Sequence, residues 1–426
     1  MPTLRTFTLG CKVNQYETEL VAEGLARVGF RPAKPEESAD LCVVNTCTVT
    51  SEGDLKSRKA IRRLARNNPD AQIVVMGCYA TQAEDVVADF PGVVEVLTDK
   101  RQIPDFLARW GVLDVPTGIS RFGHRARAYV KVQDGCRMRC SYCIIPTARG
   151  DLNSRPVPQI LDEIRRLADS GHREIVLTGI HLGHWGLEWS DQRLRLADLV
   201  EQILTIEGPF RLRLSSLEAV EVDARLLGLM ADHEDRICPH LHLSMQSGSD
   251  AVLERMQRRW ASTRFVEKCR EVQESLAGAA LTTDVIVGFP GETEADFEAS
   301  CRAVEGIGFA KVHVFRFSPR EGTPAATMPD QLDGTIKQAR AARLDELSNR
   351  LRRKFFDSLV GRPIQVLVES ADATQPGLLH GTSARYAPVR LHGLADQVGR
   401  LIDTEATGAD ALGLTVAHRP AAPMGR

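Results

Sequence analysis

Aromatic residues are scarce: 14 Phe, 5 Tyr and 4 Trp make 5% of the 426 residues. A broad aromatic platform for stacking bases is therefore not the expected mode of nucleic-acid binding. Charge of one sign is lacking as well. Lys and Arg number 54 against 56 Asp and Glu, a net charge of −2, so a polyanion would have to be met by a local basic patch. No apolar run reaches membrane-spanning length, and no membrane partner is expected. The opening Met1-Pro2-Thr3-Leu4-Arg5-Thr6 lacks a signal-peptide layout, so the expected location is cytoplasmic. In a reducing cytosol, ten cysteines point to metal binding rather than disulfides. The rest of the composition, 43% hydrophobic and 26% charged, is that of an ordinary globular protein. The length predicts two to four domains.

What is present centres on Cys136-Arg137-Met138-Arg139-Cys140-Ser141-Tyr142-Cys143, followed by Ile144-Ile145-Pro146. Thiolates are soft ligands that suit iron–sulfur clusters and zinc. Upstream, Arg127 to Gln133 alternates like a strand and Asp134-Gly135 turns the chain. The loop therefore leaves the C-terminal end of a strand, where open α/β sheets place their ligands. Three cysteines leave one position of a four-iron cluster free, as a catalytic metal requires. A zinc knuckle would want a nearby fourth Cys or His, and none follows Cys143 closely.

Upstream, Leu4 to Gly10, Asp40 to Thr46 and Ala71 to Gly77 read as strands ending at Cys11, Cys47 and Cys78. Helical patterns lie between them, Tyr16 to Val28 and Glu52 to Asn67. Such alternation predicts a parallel sheet with right-handed crossovers. All strand ends then share one edge, and the three cysteines converge there. The alternative is that they are small packing residues, which is how Cys42 reads. Lys56, Arg58, Lys59, Arg62, Arg63 and Arg66 form a basic helix face, either a solvated surface or a phosphate contact. From Pro91 to Pro116 the pattern weakens into a linker-like stretch.

Beyond Gly123, strands at Glu174 to Thr178, Phe210 to Ser215, His240 to Ser244, Leu281 to Val287 and Val312 to Phe317 alternate with helices. With the strand before Cys136 this makes about six βα units, an open partial barrel rather than a closed eightfold one. Polar residues follow these strands. Thr178, Gly179, Ser216, Glu218 and Gln246 are candidates to bind a nucleoside and its amino-acid group, as against ordinary turn chemistry. His181, His184 and His242 read as local hydrogen-bonding residues, and Cys238, Cys269 and Cys301 as packing residues. No residue is singled out as catalytic in itself. Asp333 to Leu359 is one long helical pattern. Five short glycine-punctuated strands follow, from Ile364 to a last one near Leu412 to His418, and read as a small β-barrel. Arg385, Tyr386, Arg390, His392, Arg400 and Arg419 give that barrel a basic and aromatic surface of the kind that holds RNA. The division is 1–116, 122–330, a connecting helix at 331–360 and a barrel at 361–422.

The whole resembles the methylthiotransferases of the radical S-adenosylmethionine superfamily. The resemblance rests on Gly10-Cys11-Lys12-Val13-Asn14-Gln15-Tyr16-Glu17, Asn45-Thr46-Cys47, Gly77-Cys78 and the Cys136, Cys140, Cys143 loop. Lys12-Val13-Asn14-Gln15, Asp134-Gly135-Cys136, Cys143-Ile144-Ile145-Pro146 and Leu177 to Gly183 look most like the branch that modifies threonylcarbamoyladenosine at position 37 of tRNA, beside the anticodon. The resemblance implies two [4Fe-4S] clusters. Cys136, Cys140 and Cys143 would hold the one that binds and cleaves S-adenosylmethionine. Cys11, Cys47 and Cys78 would hold an auxiliary one carrying the sulfur to be inserted. It also implies tRNA as partner, an electron donor such as flavodoxin or ferredoxin, a sulfur donor, and a terminal barrel like the family's RNA-binding TRAM domain. Isopentenyladenosine in tRNA, or a ribosomal-protein aspartate, is the target of sister branches. A reading of another class is an RNA-binding iron–sulfur regulator without catalysis, which would not cleave S-adenosylmethionine.

Overall fold

The computed structural model describes residues 1–123, 125–191 and 194–417. It opens with a parallel sheet of β1 (Thr3–Thr8), β2 (Arg31–Pro32), β3 (Leu41–Thr46), β4 (Gln72–Gly77) and β5 (Val93–Leu97), in the order β2-β1-β3-β4-β5. β3 is buried along its whole length. Helices cover both faces of such a sheet, which is why its strands read as continuous apolar runs. Helices α1 (Lys12–Arg27), α2 (Ser51–Asn67) and α3 (Cys78–Gln82) follow β1, β3 and β4. Thr8 lies opposite Asn45, and Thr46 opposite Gly77, so the three strands end level. Gly77 has φ +101°, and a Cβ there would stand 2.3 Å from the Thr46 carbonyl oxygen. Only glycine lets β4 turn into Cys78 so close to β3. The stretch from Pro91 to Pro116 is not a linker. It holds edge strand β5 and the helix Ile103–Arg109. Both are short and lie between prolines, although Val93, Val94, Val96 and Leu97 and then Ile103, Phe106 and Leu107 carry an apolar pattern.

Eight further strands build the central unit: β6 (Arg127–Asp134), β7 (Asn153–Ser154), β8 (Glu174–Gly179), β9 (Arg211–Leu214), β10 (Ser216–Leu217), β11 (His240–Leu243), β12 (Ala280–Val287) and β13 (Lys311–Arg316). They form the sheets β7-β6-β8-β9 and β10-β11-β12-β13. β9 and β10 are halves of one bent strand, broken at Ser215. Counted so, six parallel strands curve round, and β6 and β13 do not pair with each other. This is the open (β/α)6 barrel that the alternation predicts. The expected strands match β8 to β13 to within about a residue at each end.

The 26-residue helix Gly334–Leu359 runs along β13 and delivers Phe356 and Leu359 into the core of the last unit. There β14 (Pro363–Ala371), β15 (Leu378–Ser383), β16 (Pro388–His392), β17 (Leu401–Asp410) and β18 (Gly413–Val416) close into a barrel, β14-β15-β16-β18-β17. The five strands agree with the number that the glycine punctuation predicts. β17 continues to Asp410 through a stretch from Asp403 that holds only small and polar residues, a weak strand signal. His418 and Arg419 lie outside the described residues.

One buried carboxylate organises the seat of this barrel. Glu174 is fully buried on β8 and bonds Arg127, Arg211 and Arg213. Arg211 in turn donates to the Gln365 and Thr382 carbonyls, both at 3.0 Å. Arg213 donates to those of Ala384, at 3.0 Å, and Ser383, at 3.1 Å. Burial opposes ionisation of Glu174, but Arg213, Arg211 and Arg127 outweigh it and hold the carboxyl well below its usual range. Its contribution is therefore present above the ordinary carboxyl pKa and lost only as pH falls through the depressed folded value. Glu174→Gln should lower unfolding stability by about 3 kcal/mol, read from denaturant midpoints at neutral pH. Arg385 and Tyr386, expected on an RNA-facing surface, belong to the same seat. Arg385 donates to the Gly278 carbonyl at 2.9 Å, and the Tyr386 ring stacks 4.7 Å from His240. Arg390 pairs with Asp410 on the barrel itself.

Candidate functional site

The strand–loop junction after β6 is sharply constrained. Gly135 has φ +71°, and a Cβ there would overlap the Asp151 carbonyl, 1.8 Å away. The chain that follows puts Cys136, Cys140 and Cys143 on the wall of one cavity of about 200 Å³, together with Ser216, Glu218 and Gln246. Gln246 adopts φ +65° and is fixed there by two backbone bonds of 2.9 Å, to the Asp284 carbonyl and from the Ile286 amide. Thr178 and Gly179 end β8 nearby, but the wall at that strand is made by Ile180 and His181.

Two further residues stand at this wall, Arg258, which the sequence does not single out, and His181, read there as a local hydrogen-bonding residue. Arg258 pairs with Glu218, donates to the Ser244 carbonyl at 3.0 Å and stands 3.7 Å from the Cys140 sulfur. His181 Nδ1 lies 3.4 Å from the Cys136 sulfur, its Nε2 bonds Glu221, and its ring stacks on His184 at 3.5 Å. Burial disfavours charge on His181, but its bonds to Cys136 and Glu221 prevail and raise its pKa to about 9.

The other three cysteines meet at the level edge of the first sheet. Cys11 precedes α1, Cys47 follows β3 and Cys78 opens α3. A Cβ on Gly10 would lie 3.2 Å from the Cys47 sulfur, so the β1 loop rests directly on that residue. Cys42 is fully buried inside β3, a packing position.

Between the two sets stands Arg149, from the short helix Ile145–Arg149 just after Cys143. Its side chain is fully buried. Nε donates to the Cys78 sulfur at 3.3 Å, and Nη2 to Asn14 Oδ1 at 2.6 Å. Nη1 pairs with Glu17 at 2.9 Å and Asp134 at 3.0 Å. Lys131 completes the network, 3.0 Å from each carboxylate. Burial would raise the Glu17 pKa, but Arg149 and Lys131 overcome it and lower the value. Asn14, whose amide donates to the Leu9 and Thr46 carbonyls at 2.9 Å, ties the Cys11 and Cys47 loops to this network.

Charge decides what these sites suit. Burial raises the Cys140 and Cys47 thiols and pushes Cys143 up to about 12. Three clustered thiols at either site cannot all ionise unless positive charge arrives. Glu17, Asp134, Arg149 and Lys131 balance one another, and Lys100, a further cation beside Cys78, is too little for three thiolates. A polynuclear iron cation bound by three thiolates supplies it, so the donor sets fit such a group. Among the described residues no helix is long and apolar enough to cross a membrane.

Comparison with known proteins agrees with this chemistry. Residues 3–99 match the uncharacterized protein family UPF0004, and residues 130–304 match the radical SAM superfamily. The threonylcarbamoyladenosine tRNA methylthiotransferase MtaB of Bacillus subtilis (strain 168) is 37% identical over 426 residues, covering 94% of this chain and 93% of that protein. Its namesake from Thermotoga maritima is 36% identical, covering 87% of each. The tRNA-2-methylthio-N(6)-dimethylallyladenosine synthase of Moorella thermoacetica is 33% identical, covering 96% of each. Among solved structures, the radical S-adenosylmethionine methyltransferase TsrM from Kitasatospora setae, with tryptophan and a SAM analogue bound, shares the fold. Its TM-score is 0.56 at 15% identity, over 76% of this chain and 75% of that one. A radical SAM enzyme uses S-adenosylmethionine and a [4Fe-4S] cluster, and transfer of a methylthio group makes it a sulfur-group transferase. The chain belongs to the methylthiotransferase family of radical S-adenosylmethionine enzymes.

Proposed function

We propose that this enzyme converts threonylcarbamoyladenosine at position 37 of tRNA to its 2-methylthio derivative. The observation that carries the reading is the link between two three-cysteine sets through Arg149, which bonds Cys78 on one side and Asp134, just before Cys136, on the other, in a chain more than a third identical to relatives named for that reaction. Cys136, Cys140 and Cys143 hold the cluster that binds S-adenosylmethionine. Cys11, Cys47 and Cys78 hold a second one. Carbon 2 of adenine bears a C–H bond that no base opens at pH 7, and the bound cluster and S-adenosylmethionine supply the one-electron chemistry required. The chain's own residues position and shield. Ser216, Glu218 and Gln246 offer hydrogen bonds to the polar parts of S-adenosylmethionine, and Thr178-Gly179 offer backbone at the end of β8. Arg258 holds Glu218 and faces Cys140. Arg149 fixes the Cys78 sulfur, and a base bound between the two units displaces water from the space it fills. A flavodoxin- or ferredoxin-like electron donor, a sulfur donor and a cytoplasmic location complete the reading.

For the tRNA, α2 is the stronger surface. Lys56, Lys59, Arg62, Arg63 and Arg66 line an open groove with Phe7 and Leu9. Arg62 and Arg63 lie flat on Phe90 and Phe7, each 5.0 Å from the ring centre, which holds their charges in place. Replacing Lys59 and Arg66 by alanine should weaken tRNA binding and make it less sensitive to salt, the log–log slope falling by about one unit for every phosphate left without its cation. Fluorescence anisotropy between low and moderate salt reads it. The terminal barrel, resembling a TRAM domain, adds a second contact through the faces not used in its seat.

Nucleoside mass spectrometry of tRNA from cells with and without the gene tests the reaction. Loss of the methylthio form of threonylcarbamoyladenosine, with its precursor accumulating, is the expected result. Loss of the methylthio form of isopentenyladenosine instead would keep the chemistry and overturn the target. No change in either would favour a protein substrate or a regulator.

A further inference from the structure

A second cavity, of about 210 Å³, lies where Cys143 of the central set faces the loop that follows Cys47. Tyr142, Cys143, Ile145 and Gln246 line both it and the cavity of the central cysteines. Val49 and Thr50, just past Cys47 on the first unit, also line it. A base held here lies beside Cys143 and against the loop after Cys47, so the substituent it carries must be accommodated by this wall.

The wall is largely apolar, with three charged residues: Asp284, Arg316 and Arg320. Asp284 is engaged by His242 Nε2 at 3.2 Å. Arg320 is engaged by Asp54 at 2.8 Å and by Thr48 at 2.6 Å, and so serves to join the first unit to the barrel. Arg316, the last residue of β13, pairs with no carboxylate among the described residues. The acid that feels it, Glu52, is already bonded to Lys56 at 2.8 Å. Arg316 is exposed and hydrated as it stands. A base entering the cavity strips that water. An uncharged substituent would leave the guanidinium covered and unpaired, which opposes binding, whereas an anionic one turns it into a bidentate partner. A threonylcarbamoyl group is joined through the threonine nitrogen and keeps a free carboxylate. A dimethylallyl group offers no acceptor.

We infer that Arg316 pairs with the carboxylate of the threonylcarbamoyl substituent and sets which modified adenosine the site accepts. This rests on the target proposed above. The test compares an anticodon stem-loop bearing threonylcarbamoyladenosine with the same stem-loop whose substituent is a methyl ester. Native enzyme, Arg316→Gln and Arg316→Lys are measured at equal iron and sulfide content. The native enzyme should prefer acid to ester by about 10- to 100-fold in kcat/KM. The glutamine variant should bring the ratio close to one, and lysine should restore part of it, since it keeps the charge but not the planar fork. Equilibrium binding of the two stem-loops gives the same ratio without turnover, should a variant be inactive. A glutamine variant that retains the native acid preference overturns the inference and leaves the target reading intact. A native enzyme that ignores the threonylcarbamoyl stem-loop altogether sinks the target reading, and this assignment with it.

Discussion

Cys140→Ser is expected to abolish S-adenosylmethionine cleavage and methylthio transfer together, whereas Cys78→Ser is expected to keep cleavage and lose transfer. The difference follows from position. Cys140 is buried in the wall that also carries Ser216, Glu218 and Gln246, the surface that would hold S-adenosylmethionine. A serine oxygen is a hard and rarely ionised donor in place of a soft thiolate, and a three-ligand set has no spare to compensate. Cys78 lies on the other side of Arg149, at the edge of the first sheet. Its loss leaves the central set whole. The paired readouts are 5′-deoxyadenosine formed under anaerobic reduction and methylthiolated nucleoside by mass spectrometry. A Cys78→Ser enzyme that still makes the methylthio product would refute the auxiliary assignment. A Cys140→Ser enzyme that still releases 5′-deoxyadenosine would refute the central one.

Arg149→Met should cost about 3–5 kcal/mol of stability and stop methylthio transfer. The guanidinium is the shared partner of Glu17, Asp134, Asn14 and the Cys78 sulfur. Methionine fills a similar space but leaves two buried carboxylates to a single ammonium, that of Lys131. Desolvation then carries the pKa of one or both above the usual carboxyl range. The variant should therefore lose stability as pH increases from 5 to 8, over a window where the native protein, with both carboxyls depressed, is flat. Denaturant midpoints at several pH values check the sign. Arg149→Lys should rescue part of the stability, because it keeps the charge, but not the fork that reaches Cys78 and both acids at once.

The parallel sheet and the open barrel are legible because their strands are buried runs that alternate with helical patterns, several of them closed by cysteine or glycine. The convergence of Cys11, Cys47 and Cys78 follows from topology alone, since parallel strands share an edge. Edge strand β5 is short and partly exposed, although four of its five residues are apolar, and the tail of β17 is not legible, for its residues are small and polar. At the site, Glu17 does leave a trace. It is an acid on the buried stripe of α1, between Asn14 and Val21, where a charge demands a partner. Arg149 leaves none, as a lone arginine before a glycine reads as a surface residue. His181 does not stand out because a histidine on a loop is commonplace, and only the fold brings it to Cys136. Tyr386 and Arg385 look like RNA-facing residues in sequence and turn out to seat the terminal barrel, because their partners, His240 and Gly278, lie more than a hundred residues upstream.

Arg149 also imposes an order on biosynthesis. The ribosome delivers Cys11, Cys47 and Cys78 first, but the guanidinium that closes their hollow and the strand bearing Lys131 emerge later. A nascent chain that has folded only its first sheet holds three thiols around an unfinished recess, with Glu17 still lacking both its cations. That recess becomes a competent receptacle only once the helix beyond Cys143 has docked. On the proposed assignment both sets of thiols are then loaded only after that docking, and a translation product arrested before residue 149 is left with its first three thiols unsheltered.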